Sequence, residues 1–237
     1  MVRGEFLARL NRFAIAVRVN GEDSIAHLPN PGCLANVLVP GRSVLLKPAP
    51  SGRRTQWTAV AADLGDFLVS LDSTLPNRAF PYFLATGTLP ELSDFRIVAR
   101  EPKLGRGRAD FLLQRGRTQV WVELKSVTLV EEGIALFPDA PTARGTRHLR
   151  ELSARVRAGD GAFIVFVVQR PDAERFGPNH AIDPRFAATF REAVGLGVQA
   201  RAVVCFFDGH ELHPRKVLGP EALLLPAPCP QESPALP

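Results

Sequence analysis

Between Gly105 and Ser126 the chain reads GRGRADFLLQRGRTQVWVELKS, and this stretch restricts the possible folds more than any other. It reads as two short strands, Ala109–Leu113 and Gln119–Val127, joined by a turn over 114–118. Asp110 is the one acid of the first strand; Glu123 and Lys125 stand among Val120, Trp121, Val122 and Leu124 in the second. Alternation along a strand sends Glu123 and Lys125 to the same face. A hairpin closing around Gly116 sets Asp110 opposite Glu123, with paired Cβ atoms about 4.5–5.5 Å apart. Two carboxylates that close repel, and one is pushed toward its protonated form. A divalent cation between them removes the repulsion. The other positions are apolar: Val122 and Leu124 are expected to cover one side, Phe111 and Leu113 the other, as in strands from the middle of a sheet covered on both faces. Charged groups there need a partner or a task. The alternative to a shared cation is a buried Asp–Lys or Glu–Lys ion pair, because a register slip of one residue separates the acids.

The order Asp, gap, Glu-x-Lys resembles the signature of the PD-(D/E)XK nucleases. Longer segments carry a closer resemblance: AHLPNPGCL at 26–34, DFLL at 110–113, VELKSVTLVEEG at 122–133 and FPDAPTARGTRHLREL at 137–152. With these the chain resembles the sugar fermentation stimulation protein A (SfsA) family, over about residues 12 to 215. The resemblance implies a mixed α/β chain: a small N-terminal OB-like β-barrel, a C-terminal PD-(D/E)XK nuclease-like α/β domain, and DNA as partner. The expected boundaries are 1–78 for the barrel, 79–219 for the nuclease-like domain and 220–237 for a proline-rich, disordered tail. In nucleases of this kind Asp110 and Glu123 would bind Mg2+ or Mn2+, and the Leu124 carbonyl would face the metal. The metal would polarise the phosphate and acidify a water, and Lys125 would orient that water or steady developing charge. Glu101, in EPKLG, matches the family's Glu-x-x-x-Gly pattern and is a candidate third acid; an exposed strand end is the other reading. The glutamate that the family usually carries around Pro81–Tyr82 is absent here. A non-catalytic DNA-binding regulator on the same scaffold is therefore the second functional reading.

A length of 237 residues and 46% hydrophobic content allow one large or two small domains with real cores. A net charge of +5 is compatible with a polyanion partner. Three cysteines, Cys33, Cys205 and Cys229, without a CxxC spacing argue against a disulfide framework and a zinc ribbon. Reduced thiols, no apolar leader in MVRGEFLARLNRF and no span of roughly 18–20 apolar residues predict a soluble, cytoplasmic protein without membrane contact. No P-loop, G-x-S-x-G elbow or HExxH is present. A nuclease that breaks both strands needs two sites, which makes a homodimer an expectation.

In the first 71 residues, strands are predicted at Phe13–Val19, Ile25–Leu28, Ser43–Lys47, Gln56–Ala62 and Phe67–Leu71, with a hairpin at Asn20-Gly21. Five such strands suit an OB-like barrel. Arg53 and Arg54 lie in a basic turn with Trp57 and Phe67 nearby, a pattern that serves either nucleic-acid binding or a solvated surface around a barrel filled by Phe13, Trp57 and Phe67. His27 reads as a loop residue, functional or structural. Further on, Pro81 is expected to limit a helix over Asn77–Leu84. Lys103, Arg106 and Arg108 precede the acids. Thr142 or Thr146 caps a helix to about Ala158 whose first half holds Arg144, Arg147, His148 and Arg150. Cations there oppose the helix dipole, so they await either phosphate or Glu151 and nearby acids. The run Ala162–Gln169 reads as a central strand with Gln169 as a lesser site candidate at its end. A helix from Asp183-Pro184 and a strand over Gln199–Phe207 complete an α/β order.

Overall fold

The computed structural model describes residues 1–219 together with Ala222 and Leu224. The expected proline-rich tail over 220–237, and Cys229 with it, falls almost wholly outside those residues.

The first strands are β1 (Val2–Asn11), β2 (Ala14–Val19), β3 (Glu22–His27), β4 (Ser43–Pro48) and β5 (Trp57–Asp63). They run in the order β3-β2-β1-β4-β5, and β5 returns to β3 in parallel, Ala26 opposite Trp57, to close the barrel. This is an OB-like barrel. Asn20 and Gly21 both take positive φ, +52° and +84°, as the twist-matched hairpin turn between β2 and β3 requires. The alternation of β2 puts Ile15, Val17 and Val19 inside with Phe6, Val44 and Leu46. The barrel is therefore filled by aliphatic side chains and Phe6. Phe13 is exposed under the Arg12 guanidinium, and Trp57 and Phe67 only flank the core. The long strand β1 escapes the sequence pattern because register breaks at Phe6/Ala8 and Arg9/Asn11 disturb its alternation.

The chain continues through β6 (Leu68–Ser70), α1 (Leu75–Ala85), β7 (Arg96–Arg100), β8 (Lys103–Leu104), β9 (Gly107–Arg108), β10 (Phe111–Arg115) and β11 (Thr118–Val127). Then follow β12 (Val130–Glu131), β13 (Ile134–Phe137), α2 (Ala143–Arg157), β14 (Gly161–Val168), β15 (Arg175–Pro178), α3 (Pro184–Gly195), β16 (Gln199–Phe207) and β17 (Leu212–Leu218). Strands β11, β14 and β16 are parallel; β10 and β7 add to one side and β6 joins β16 to the barrel. Strand β14 is buried on both faces. Ile164, Phe166 and Val168 meet Leu149, Leu152, Phe186 and Phe190 from α2 and α3, while Phe163, Val165 and Val167 meet Phe80 and Phe83 from α1. The C-terminal part is thus a mixed α/β domain with helices on both faces of its sheet. No helix among the described residues is long and apolar enough to cross a membrane.

Two local expectations change. Phe111 and Leu113 share one face with Val122 and Leu124, all four in the core under α1, because Phe111 pairs with Val122 and directly paired residues share a face. The opposite face carries Trp121, Glu123, Lys125 and Val127 toward α2. Pro81 does not limit α1, which runs on to Ala85. Pro81 removes one amide bond, but Phe80 and Phe83 on either side of it are fully buried and hold the last turn in place.

Candidate functional site

The hairpin register, Phe111 to Val122, carries on to the pair Asp110 and Glu123, as the spacing requires. The Asp110 amide donates to the Val122 carbonyl at 3.1 Å. Asp110 Oδ2 accepts the Leu124 N–H at 2.7 Å, and Oδ1 accepts from Asn77 Nδ2 of α1 at 2.6 Å. The peptide of Val127 points to β14, where its carbonyl meets the Gln169 amide. By strand alternation the peptide of Leu124 points the other way, so its carbonyl lies on the Asp110 side.

Glu123 is 2% exposed. Its Oε1 is held by Lys125 Nζ at 2.5 Å and by Nδ1 of His148 from α2. Its Oε2 is buried and has no hydrogen-bond partner among the described residues. His148 is itself 1% exposed. Its Nε2 accepts from Arg144 Nε at 3.4 Å, so Nδ1 carries the proton that goes to Glu123. The two acids are pushed apart electrostatically. Burial, then the charge of Glu123, raises Asp110 above the usual carboxylate range. Burial acts the same way on Glu123, but Lys125 and His148 together pull it below. This is the asymmetry that two opposed carboxylates impose.

Around Asp110 and His148 opens a cleft of about 940 Å³, with Lys103, Arg106, Arg108, Arg144 and Arg147 on its walls. Its shape depends on Gly105, which turns at φ +53° and lies against Glu151. Glu151 Oε1 accepts the Arg106 amide at 3.0 Å and faces Arg147 at 3.8 Å. Helix α2 is capped by Thr142, whose hydroxyl accepts the Gly145 N–H at 3.0 Å, with no acid in its first turn. On the cleft, Arg147 is paired with Glu151, while Arg144 has no carboxylate partner among the described residues.

The expected set is thus only partly assembled. Asp110, Glu123, Lys125 and the Leu124 peptide come together. Glu101 stands at the rim of the cleft with its side chain 71% exposed, paired with Arg108 at 3.3 Å, so the third acid is not brought to the pair. Its φ of +50° turns the chain outward there. Among the described residues no group of three His, Cys, Asp or Glu side chains is close enough to hold a cation by itself. His148, expected as a surface phosphate contact, is instead buried as the partner of Glu123. Arg53 and Arg54 are exposed on the barrel, outside this cleft. Gln169 donates to Ser126 Oγ at 2.7 Å, and Ser126 alternates to the face opposite Lys125, so Gln169 is not part of the acid pair. Glu151, weighed from the sequence as a partner for the cations of α2, does face Arg147 and also holds the Arg106 amide. Sequence reasoning missed Asn77 as a partner of Asp110.

The residues present suit a hard divalent cation. Two carboxylates and a peptide carbonyl are oxygen donors of the kind such ions take, and the partnerless Glu123 Oε2 is a buried anionic oxygen with no proton donor.

Residues 74–211 match the family described as the sugar fermentation stimulation protein RE domain, and residues 7–71 match the SfsA N-terminal OB domain. The chain belongs to the SfsA family. The sugar fermentation stimulation protein homolog of Moorella thermoacetica is 45% identical over 211 residues, covering 88% of this chain and 91% of the relative. That of Methanothermobacter thermautotrophicus is 40% identical over 198 residues, 83% and 82% of the two chains. The solved structure of Pyrococcus furiosus SfsA in complex with Ca2+ is 33% identical, covers 92% of this chain and 94% of its own, and superposes with a TM-score of 0.84.

Proposed function

We propose that this SfsA-family chain binds DNA and hydrolyses its phosphodiester bonds with a divalent cation, Mg2+ or Mn2+, held at Asp110 and Glu123. The observation that carries the reading is Glu123 Oε2, a buried carboxylate oxygen without a partner, opposite a carboxyl of raised pKa at the floor of a basic cleft. The Ca2+ complex of the Pyrococcus furiosus relative supports a cation of this class.

Asp110, Glu123 and the Leu124 carbonyl would hold the ion. When bound, it supplies Lewis-acid polarisation of the phosphate and a more acidic water. Arg106, Arg108, Arg144 and Arg147 offer forked, always-charged donors to the flanking phosphates. Lys125, fixed by Glu123, presents its ammonium beside charge that develops at the phosphorus. His148 keeps Glu123 oriented, with Oε1 occupied and Oε2 free. Double-strand cleavage would call for two copies of the chain. The free thiols of Cys33 and Cys205 agree with a cytoplasmic setting.

One observation favours the second reading, a DNA-binding regulator that does not cut: among the described residues only two acids converge, and one of them already has Lys125 and His148 on one oxygen. Calorimetric titration with Mg2+ and Mn2+ beside a plasmid-cleavage assay, on wild type and Asp110→Ala/Glu123→Ala, separates the two. Cation uptake and cleavage, both lost in the variant, support hydrolysis. DNA binding without cation uptake or cleavage sinks it and leaves the regulator.

A further inference from the structure

A second cavity, of about 340 Å³, lies where the barrel meets the α/β domain. The barrel contributes His27, Lys47, Arg53 and Thr58; the other side contributes Arg78 from α1 and His210. The cavity exists because β6 pairs with both β5 and β16, which makes one continuous sheet of the two parts and leaves the open end of the barrel facing α1. Its size is that of a site for a small molecule.

The charge in this cavity is one-sided. Its carboxylate, Asp72, is already engaged: Oδ1 accepts from the Thr74 amide and hydroxyl at 2.8 and 2.7 Å, and Oδ2 from Arg78 at 3.0 Å. Lys47 and Arg53 make no salt bridge or side-chain hydrogen bond among the described residues, so their charge is left to the cavity. Two unpaired cations, a third shared with Asp72, the Thr58 hydroxyl and two imidazoles face one space. A single carboxylate would be satisfied by one arginine fork. Convergence of lysine and arginine suits a tetrahedral, multiply charged oxyanion, which offers oxygens in several directions.

We infer that the junction cavity is a binding site for a phosphate group, carried by a ligand of about mononucleotide size. It is separate from the acid pair. Helix α1 lies between them, sending Asn77 to Asp110 and Arg78 to the cavity. A ligand there would touch both parts of the chain and tie them together, which is a use for Lys47 and Arg53 that the nuclease reading leaves open.

The test is calorimetric titration of the full chain with inorganic phosphate, deoxyadenylate and a short oligothymidylate. Wild type is compared with Lys47→Ala/Arg53→Ala and with Arg117→Ala, which removes an exposed cation that lines neither cavity. Both Lys47 and Arg53 are exposed, so equal thermal melting of the double variant and wild type certifies its fold. The expected result is binding that weakens by about tenfold for each cation removed and is unchanged by Arg117→Ala. A loss on deoxyadenylate identifies a free phosphorylated molecule; a loss on the oligonucleotide alone identifies a phosphate within a strand; either supports the site. Absence of binding by all three probes, or equal affinity of wild type and double variant, overturns it. Cleavage is not read, so failure of the nuclease proposal leaves this result untouched.

Discussion

If Asp110 is retained for a cation and not for the fold, removing its charge should stabilise the metal-free protein. The substitution Asp110→Asn makes the case. Taken at the roughly 5 Å that separates opposed Cβ atoms in a hairpin, two carboxylates repel by about 3 kcal/mol at an effective dielectric constant of about 20. Against this, the carboxylate's hydrogen bonds are charge-assisted and surpass neutral ones by about 1.5 kcal/mol, and Asp110 is also attracted by Lys125. The neutral amide that replaces the carboxylate keeps both bonds: its oxygen can accept the Leu124 N–H, and the Asn77 amide can flip so that its own oxygen accepts from the new amide nitrogen. The net expectation is a gain of about 1 kcal/mol, or about 2–4 °C in melting temperature for a chain of this size. The sign with pH follows from the raised native pKa. Between the ordinary value of 3.8 and the raised one, the native state holds more protons than the unfolded state, so wild-type stability falls as pH rises through that window. The advantage of Asp110→Asn should accordingly vanish at low pH and reach its full size above the window. Divalent cation should reverse the order. At a hundredfold excess over Kd it stabilises wild type by about 2.7 kcal/mol, about 5–11 °C, and leaves the variant where it was. Scanning calorimetry in chelator and in Mg2+, across pH, reads all of this. A drop of several degrees for Asp110→Asn in chelator would refute the reasoning and make Asp110 a structural carboxylate.

Replacing His148 with Ala strips Glu123 of a charge-assisted bond and should cost about 2 kcal/mol or more in urea denaturation, with His148→Asn recovering part of it; an unchanged midpoint would mean that Lys125 alone holds the carboxylate. Substituting Arg144 or Arg147 by Ala should lower DNA affinity for every sequence and reduce the salt slope of binding by about 1 each; an unaltered slope would remove the cleft from the DNA path. At Gly105 an added Cβ would stand 2.7 Å from Glu151 Oε1 at a φ of +53°, so Gly105→Ala should cost about 1–2 kcal/mol locally, seen as faster hydrogen exchange at the Arg106 amide.

The fold is legible where local pattern and tertiary need coincide. The Asn20-Gly21 turn, the apolar run of β14, the Thr142 cap and the full span of β16 all follow from short-range rules that burial then reinforces. Strand β1 is hidden because its bulges break the period-two pattern, and β17 because Pro214 sits at a register shift against Cys205. The face assignment of Phe111 and Leu113 fails for a different reason. Within one strand, alternation fixes faces only relative to one another. Which faces agree across a hairpin depends on the pairing parity, and the parity that sets Asp110 opposite Glu123 also sets Phe111 beside Val122.

The same limit explains the site. Asp110, Glu123 and Lys125 lie within sixteen consecutive residues, so a hairpin register decides their meeting and the sequence contains it. The groups that set their charge state come from elsewhere: Asn77 from a helix 33 residues before Asp110, His148 from a helix 25 residues after Glu123. Nothing local marks these two as partners. His148 sits among arginines and so resembles one more surface cation, yet it is buried against Glu123, where it holds one oxygen and leaves the other bare. That bare oxygen is the feature on which the catalytic reading rests, and it is a product of tertiary packing alone. The acid pair could be found from the chain; that one of its four oxygens is left without a partner could only be found from the fold.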